Sequence, residues 1–333
     1  MMKALMLTEP LKTEVQDVPK PVLGPGEVLI KVKAGGICGS DLHTYRGHHP
    51  YRKPPVILGH EVSGEVIAHG DGVTAPAIGA RVVVEPHIVC GTCEWCRQGL
   101  MNLCVNKRVP GVGWQGTFAE YLTAPASVCH ALADNVGWAE GTTIEPLAVA
   151  QRVYSRGQAK PGEHIAVLGQ GSIGILVTLL AAHGKAGRLF VTDIMPYNLE
   201  AAKRLGATDA VDPRGTELPA GQFDVVYVCT DGPDVMEQAV RLCKKRARIV
   251  VVSLFSRQQT VDFNNLVTRE ITMTGSQTYT TEDFVAAVNL VNSGEVDMSQ
   301  VITARIKLDD APRMIADIDQ RKVVGIKTVI DFD

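Results

Sequence analysis

Over the first 146 residues, short β-branched runs alternate apolar and polar positions and stop at Gly or Pro: VLIKVKAGG at 28–36, GEVIAHG at 64–70 and ARVVVEP at 80–86. Runs of this length closed by turn residues predict the strands of a twisted, β-rich domain. From about residue 147 the rhythm changes. IAVLG (165–169), RLFVTD (188–193), FDVVYV (223–228), ARIVVVS (247–253) and EITMTG (270–275) are compact apolar runs separated by helix-like stretches. Among those stretches, IGILVTLLAAHG closes on glycine and PYNLEAAKRLG opens on proline, as helix ends do. Strands apolar on both faces and alternating with helices predict a parallel, doubly wound α/β sheet over 147–280. The tail reads as a helix over 281–294, another near 309–320 and a closing strand, KTVIDF. It is expected to return to the first domain, which is then discontinuous, 1–146 with 281–333.

Composition adds little to that picture but excludes several function classes. With 333 residues, 45% hydrophobic and 21% charged, the chain has room for two domains. A net charge of -3 makes no extended positive field, which argues against nucleic acid or an anionic membrane surface and for a small-molecule partner. Glu9 and Pro10 interrupt the N-terminal apolar stretch before a signal-peptide core can form, and no uninterrupted apolar run is long enough to span a membrane. A cytoplasmic protein is therefore expected, whose eight cysteines are thiols or metal ligands rather than disulfides.

Two clusters carry specific chemistry. Gly169-Gln170-Gly171-Ser172-Ile173-Gly174 follows the apolar strand HIAVL and opens a helical pattern. This G-x-G-x-x-G turn lets backbone approach a pyrophosphate at a helix N-terminus, while Asp193, ending the next strand, stands where a carboxylate accepts from ribose hydroxyls. Ile194 and Met195 follow it instead of an arginine suited to a 2′-phosphate, so NAD is expected over NADP. Cys90, Cys93, Cys96 and Cys104 set four thiols within one short loop, 90–104. Tetrahedral Zn²⁺ takes four thiolates in such turns, and with every position filled by protein this zinc is structural. The last spacing, seven residues followed by Val105, departs from the ferredoxin pattern.

A second metal site is expected from three separated fragments: Cys38-Gly39-Ser40-Asp41-Leu42-His43, Gly59-His60-Glu61 and Glu145-Pro146. Catalytic zinc uses about three protein ligands and leaves one position open. Cys38 and His60 lead this set. Glu61 neighbours His60, and in a regular strand the two would face opposite ways, so one of Glu61 and Glu145 can lie outside the inner ligands.

Together CGSDLH, GHE, the four-cysteine loop, EP and GQGSIG with Asp193 resemble, in order and spacing, the zinc-containing medium-chain alcohol and polyol dehydrogenase superfamily, sorbitol and threonine dehydrogenase-like branch. The resemblance implies a GroES-like catalytic domain, a Rossmann domain, two zinc ions per chain, and a homo-oligomer, dimer or tetramer. At the position where many alcohol dehydrogenases of that superfamily carry Cys as third protein ligand, this sequence has Glu145, as polyol dehydrogenases do, and the resemblance therefore favours polyols over simple alcohols. The implied reaction is NAD-linked interconversion of a secondary alcohol (sugar, polyol or diol) and its ketone, with Ser40 taking the hydroxyl proton and His43 exchanging it with solvent. A threonine 3-dehydrogenase-like enzyme is the alternative within that class, and an NAD-binding structural or sensing protein the alternative outside it. The segment Tyr45–Tyr51 is expected as a wall of the substrate site, Lys244–Arg248 as a solvated basic run after a helix, and Cys129, Cys229 and Cys243 as packing thiols.

Overall fold

The computed structural model describes residues 1–332 and divides into two compact units: Met1–Glu145 together with the segment from Thr280 onward, and Pro146–Tyr279. In the first unit the long strand Glu27–Ile37 is the organising element. Val28, Ile30 and Val32 point into the core, where they meet Val62, Val66, Val82, Phe118 and Leu122, while the residues between them are half-buried. This is the period-two alternation of a sheet with one covered face. From Ala34 to Ile37 the alternation stops and every residue is buried.

That strand pairs antiparallel with Glu61–His69, with Tyr121–Pro125 and with Lys327–Asp331. Lys327–Asp331 in turn pairs parallel with Ile302–Lys307, so the tail supplies two strands of the first unit's main sheet. Arg81–Val84 and Cys129–Ala131 complete the sheet beyond Glu61–His69.

The second unit holds a six-stranded, wholly parallel sheet in the order Asp209–Val211, Arg188–Thr192, His164–Leu168, Phe223–Val228, Cys243–Val251, Thr272–Gly275. Its inner strands are buried at nearly every position, the mark of a sheet covered by helices on both faces. The order reverses direction at His164–Leu168, the place where doubly wound sheets bind ligands. The basic run differs from expectation: the helix Val235–Leu242 passes directly into Cys243–Val251, so residues 244–248 lie in a strand. There Lys244 pairs with Asp224 at 2.8 Å and Arg248 with Glu163 at 2.6 Å, and only part of the run is solvated. Among the described residues no helix is long and apolar enough to cross a membrane.

Candidate functional site

Three strand ends meet at one point of the first unit. Glu27–Ile37 runs out into Cys38, Glu61 begins the neighbouring strand opposite Gly36, and Thr328 lies opposite Ile37 on the other side, which puts Lys327 beside them. The Cys38 sulfur, a His60 ring nitrogen and a Glu61 carboxylate oxygen all lie within 4.8 Å of one another. His60 and Glu61 share one group because His60 precedes the strand instead of continuing it. Gly59 before it has φ +92°, and a side chain there would collide with the Phe118 ring, so the turn requires glycine.

Around this group the electrostatics are tightly arranged. Asp41 is fully buried; its Oδ2 accepts from Cys38 N at 3.0 Å and its Oδ1 from Gly59 N at 3.2 Å, with His60 Nδ1 3.5 Å away. Burial pushes the Asp41 carboxyl up, but His60, Arg52 and the Cys38 N–H together hold it below the usual carboxylate range. Among the described residues His60 Nδ1 has no hydrogen-bond partner in range, so Asp41 acts on the ring through its charge. Glu61, also fully buried, accepts from Lys327 Nζ at 2.7 Å with each carboxylate oxygen. Lys327 is 3% exposed and also donates to Ile37 O at 3.3 Å. Burial lowers its pKa, and Glu61, Cys38 and Glu145 outweigh that and raise it. Lys327 was not among the expected site residues. Its only sequence signal is a charge at the start of an apolar strand.

Glu145, 6% exposed, sits in the first turn of the helix Ile144–Gly157, close enough to Lys327 to raise its pKa but outside the Cys38, His60, Glu61 group. Ser40 and His43 lie one turn apart on the helix Gly39–Tyr45; Ser40 is half-buried and His43 exposed. Of the segment 45–51, Tyr45 packs into the core and Tyr51 points to solvent, while His49 Nδ1 accepts the backbone N–H of Arg52 at 3.0 Å.

The four cysteines form the second donor group, again with all sulfurs within 4.8 Å. Cys104 and Cys90 sulfurs are 3.6 Å apart and those of Cys90 and Cys96 4.0 Å apart. Tetrahedral zinc with bonds of about 2.3 Å sets its sulfurs about 3.8 Å from one another, so the spacing suits that ion. Backbone N–H groups of Thr92 and Cys93 pull Cys90 down to about 6, whereas burial and the neighbouring Cys93 and Cys104 push Cys96 up to about 12. Four sulfurs this close cannot all ionise without a cation among them. By contrast, burial pushes Cys129, Cys229 and Cys243 each up to about 12, which keeps them as inert thiols.

In the second unit, the turn Gly169–Gly174 joins the strand His164–Leu168 to the helix Ser172–His183. A side chain at Gly174 would run into Gly169 O, which is what allows helix and strand to approach. Gln170 is turned inward and held by Thr178 Oγ1 at 2.8 Å, so the turn faces outward with Gly171, Ser172 and Ile173. Asp193 accepts from Gln170 N at 2.7 Å and Met195 N at 2.8 Å, fixing its carboxylate beside the turn. An arginine does approach it, though not from the next residues: Arg214, following the adjacent strand, donates to Ile194 O at 3.0 Å while paired with Asp212 at 2.6 Å.

Residues 24–134 match the alcohol dehydrogenase GroES-like domain and residues 172–293 the zinc-binding dehydrogenase domain. The chain is 32% identical to sorbitol dehydrogenase of Bacillus subtilis, covering 92% of this chain and 91% of that protein. It is 33% identical to L-threonine 3-dehydrogenase of Pyrococcus horikoshii, covering 92% of each. A zinc-binding dehydrogenase of Sinorhizobium meliloti, solved with NADP bound, superposes with TM-score 0.94 at 31% identity over 100% of this chain and 99% of that one. The chain belongs to the zinc-binding medium-chain dehydrogenases, with their GroES-like and Rossmann-type domains.

Proposed function

We propose that this protein is a zinc-dependent, NAD-linked dehydrogenase that interconverts a secondary alcohol and a ketone. The observation that carries the reading is the group of half-buried Cys38 with buried His60 and Glu61, a sulfur, nitrogen and oxygen set at the convergence of three strand ends. Such a set suits zinc with a position left open, in contrast to the closed four-cysteine group. A zinc ion held there acts as a Lewis acid toward an alcohol hydroxyl. The chain's own residues supply the rest. Asp41 places its negative charge beside the His60 ring, Lys327 holds Glu61, and Glu145 stands just outside as a further carboxylate. Ser40 Oγ takes the substrate proton, and His43, exposed one turn along the same helix, passes it to solvent.

The cofactor is read at Asp193, whose carboxylate keeps lone pairs for ribose hydroxyls after accepting two backbone N–H groups. Its charge opposes a 2′-phosphate, which favours NAD. Two zinc ions per chain, a hydroxylated small molecule as substrate and a cytoplasmic homo-oligomer complete the reading. For the oligomer, the open edge strand Thr272–Gly275 and the exposed Phe263 and Val267 near it support contact through this side of the second unit.

Relatives of nearly equal identity act on sorbitol and on threonine, so resemblance does not choose the substrate. The deciding experiment is reduction of NAD, followed at 340 nm, across polyols, diols, sugar acids and threonine, with zinc counted in the same preparation. About two zinc ions and turnover of a polyol support the proposal. One zinc ion and no turnover on any substrate support the sensing protein instead.

A further inference from the structure

Arg52 takes no part in the chemistry above, yet it is buried at its border. It follows the loop after the helix Gly39–Tyr45; its side chain is 9% exposed and its methylenes pack across Gly111. A guanidinium carries five N–H donors. Among the described residues only Nη1 has a side-chain acceptor, Ser40 Oγ at 3.4 Å, and Nε is buried with no partner. The nearest carboxylate, Asp41, lies 3.9 Å from Nη1, beyond hydrogen-bond range, and its oxygens already serve Cys38 N and Gly59 N.

Asp41, ion-paired with Arg52 at 3.9 Å, offsets part of its charge but does not accept one of its N–H groups. Burying a charged donor without an acceptor is costly, so a guanidinium whose Nε is unpaired calls for a ligand. Its location says which one. Arg52 Nη1 and His60 Nδ1 flank the same Asp41 oxygen, at 3.9 and 3.5 Å, and Arg52 also touches the serine proposed to take the substrate proton.

We infer that Arg52 binds an oxyanion on the substrate, so that the alcohol oxidised here carries a carboxylate or a phosphate ester a few carbons from its secondary hydroxyl. A neutral polyol hydroxyl would accept from one N–H and supply no charge of its own. A carboxylate or phosphate accepts from two N–H groups at once and supplies the opposite charge. The inference rests on the dehydrogenase reading for the reaction but not for the binding.

The test uses the zinc-loaded enzyme, with three- to six-carbon hydroxy acids, the matching polyol phosphates and the matching neutral polyols as probes. Initial rates with NAD give kcat and KM, and calorimetric titration without NAD gives binding. The expected result is that at least one anionic probe exceeds its neutral counterpart in kcat/KM. Arg52→Met then lowers that value about 10- to 100-fold, mainly through KM, and by clearly more than it lowers kcat/KM for the neutral polyols. Arg52→Lys, which keeps the charge without the fork, falls between. The acid and phosphate arms separate the two anion sources. Neutral polyols turned over as well as every anion, or Arg52→Met slowing both classes alike, overturns the inference. If no probe reduces NAD, the dehydrogenase reading fails. The titration still decides on Arg52: anion binding lost in Arg52→Met supports it, and no anion binding to the wild type rejects it. Circular dichroism of both variants guards against misfolding.

Discussion

Replacing Lys327 by methionine tests the buried half of the site directly. The substitution keeps most of the side-chain volume and removes the ammonium that donates to both oxygens of Glu61 at 2.7 Å. Glu61 is fully buried and Lys327 only 3% exposed, so solvent cannot take over the lost partner. Removing one member of a buried ion pair costs about 3–5 kcal/mol, because the other charge is left uncompensated. The unfolding free energy of the metal-free variant, from denaturant titration, should therefore fall by that amount relative to metal-free wild type. A dication beside Cys38, His60 and Glu61 would replace the missing positive charge, so zinc saturation should recover a large share of the loss. The double variant Lys327→Met with Glu61→Gln should be milder than the single, since a neutral amide is cheaper to bury than a carboxylate. Lys327 has a raised pKa in the fold, so its charge stabilises the protein below the unfolded value of 10.5, and this is lost only as pH rises through the higher folded value. The gap between wild type and variant should hold at neutral pH and close in strong alkali. A single variant within about 1 kcal/mol of wild type, or a loss of equal size with and without zinc, refutes this account of the site.

Three further outcomes follow from the same geometry. Cys93→Ser should lower zinc content by one ion per chain in metal analysis and leave the Cys38 group occupied; a preparation that keeps its full zinc removes the four-cysteine assignment. Asp193→Ala should raise kcat/KM with NADP relative to NAD, since it removes the opposing carboxylate while Arg214 remains within one residue; an unchanged ratio shows that Asp193 is not the reader. Burial, then Arg52, lowers the pKa of His49 to about 4 from 6.5, so between those values the unfolded chain binds a proton that the folded one refuses. Stability should thus fall as pH drops from about 6.5 toward 4. His49→Gln should flatten that slope in thermal melts, and a slope identical to wild type rejects the assignment.

What could be read from the sequence and what could not divides along one physical line. The turn Gly169–Gly174 and the loop Cys90–Cys104 were legible because all their determinants lie within a few residues: strand, glycines, helix start, or four thiols in two tight turns. The helices and strands of the second unit were legible for the same reason, since burial on both faces is written in each apolar run. The His60 and Glu61 question was posed correctly by strand alternation and answered by something alternation does not contain. Gly59 has positive φ and the strand begins only at Glu61, so the two side chains are not consecutive strand positions. The remainder depends on pairings between distant segments. Glu61 and Lys327 are separated by 266 residues and meet because two strands flank Glu27–Ile37 at one end. Arg214 reaches the carbonyl of Ile194, next to Asp193, because it follows Asp209–Val211, the strand parallel to Arg188–Thr192, although Ile194 and Met195 gave no hint of a cation. Arg52 is the sharpest case. The loop before it, Tyr45–Tyr51, was expected to wall the substrate site, yet Tyr45 enters the core and Tyr51 faces solvent, and the residue that turns inward is the next one. Nothing in the spacing distinguishes an inward arginine from an outward one in a loop. The distinction is made by Gly111, whose missing side chain leaves room for the Arg52 methylenes. The residues that define the reaction class are therefore local and readable, while those that tune its metal, its cofactor and its substrate are set by the sheet's topology.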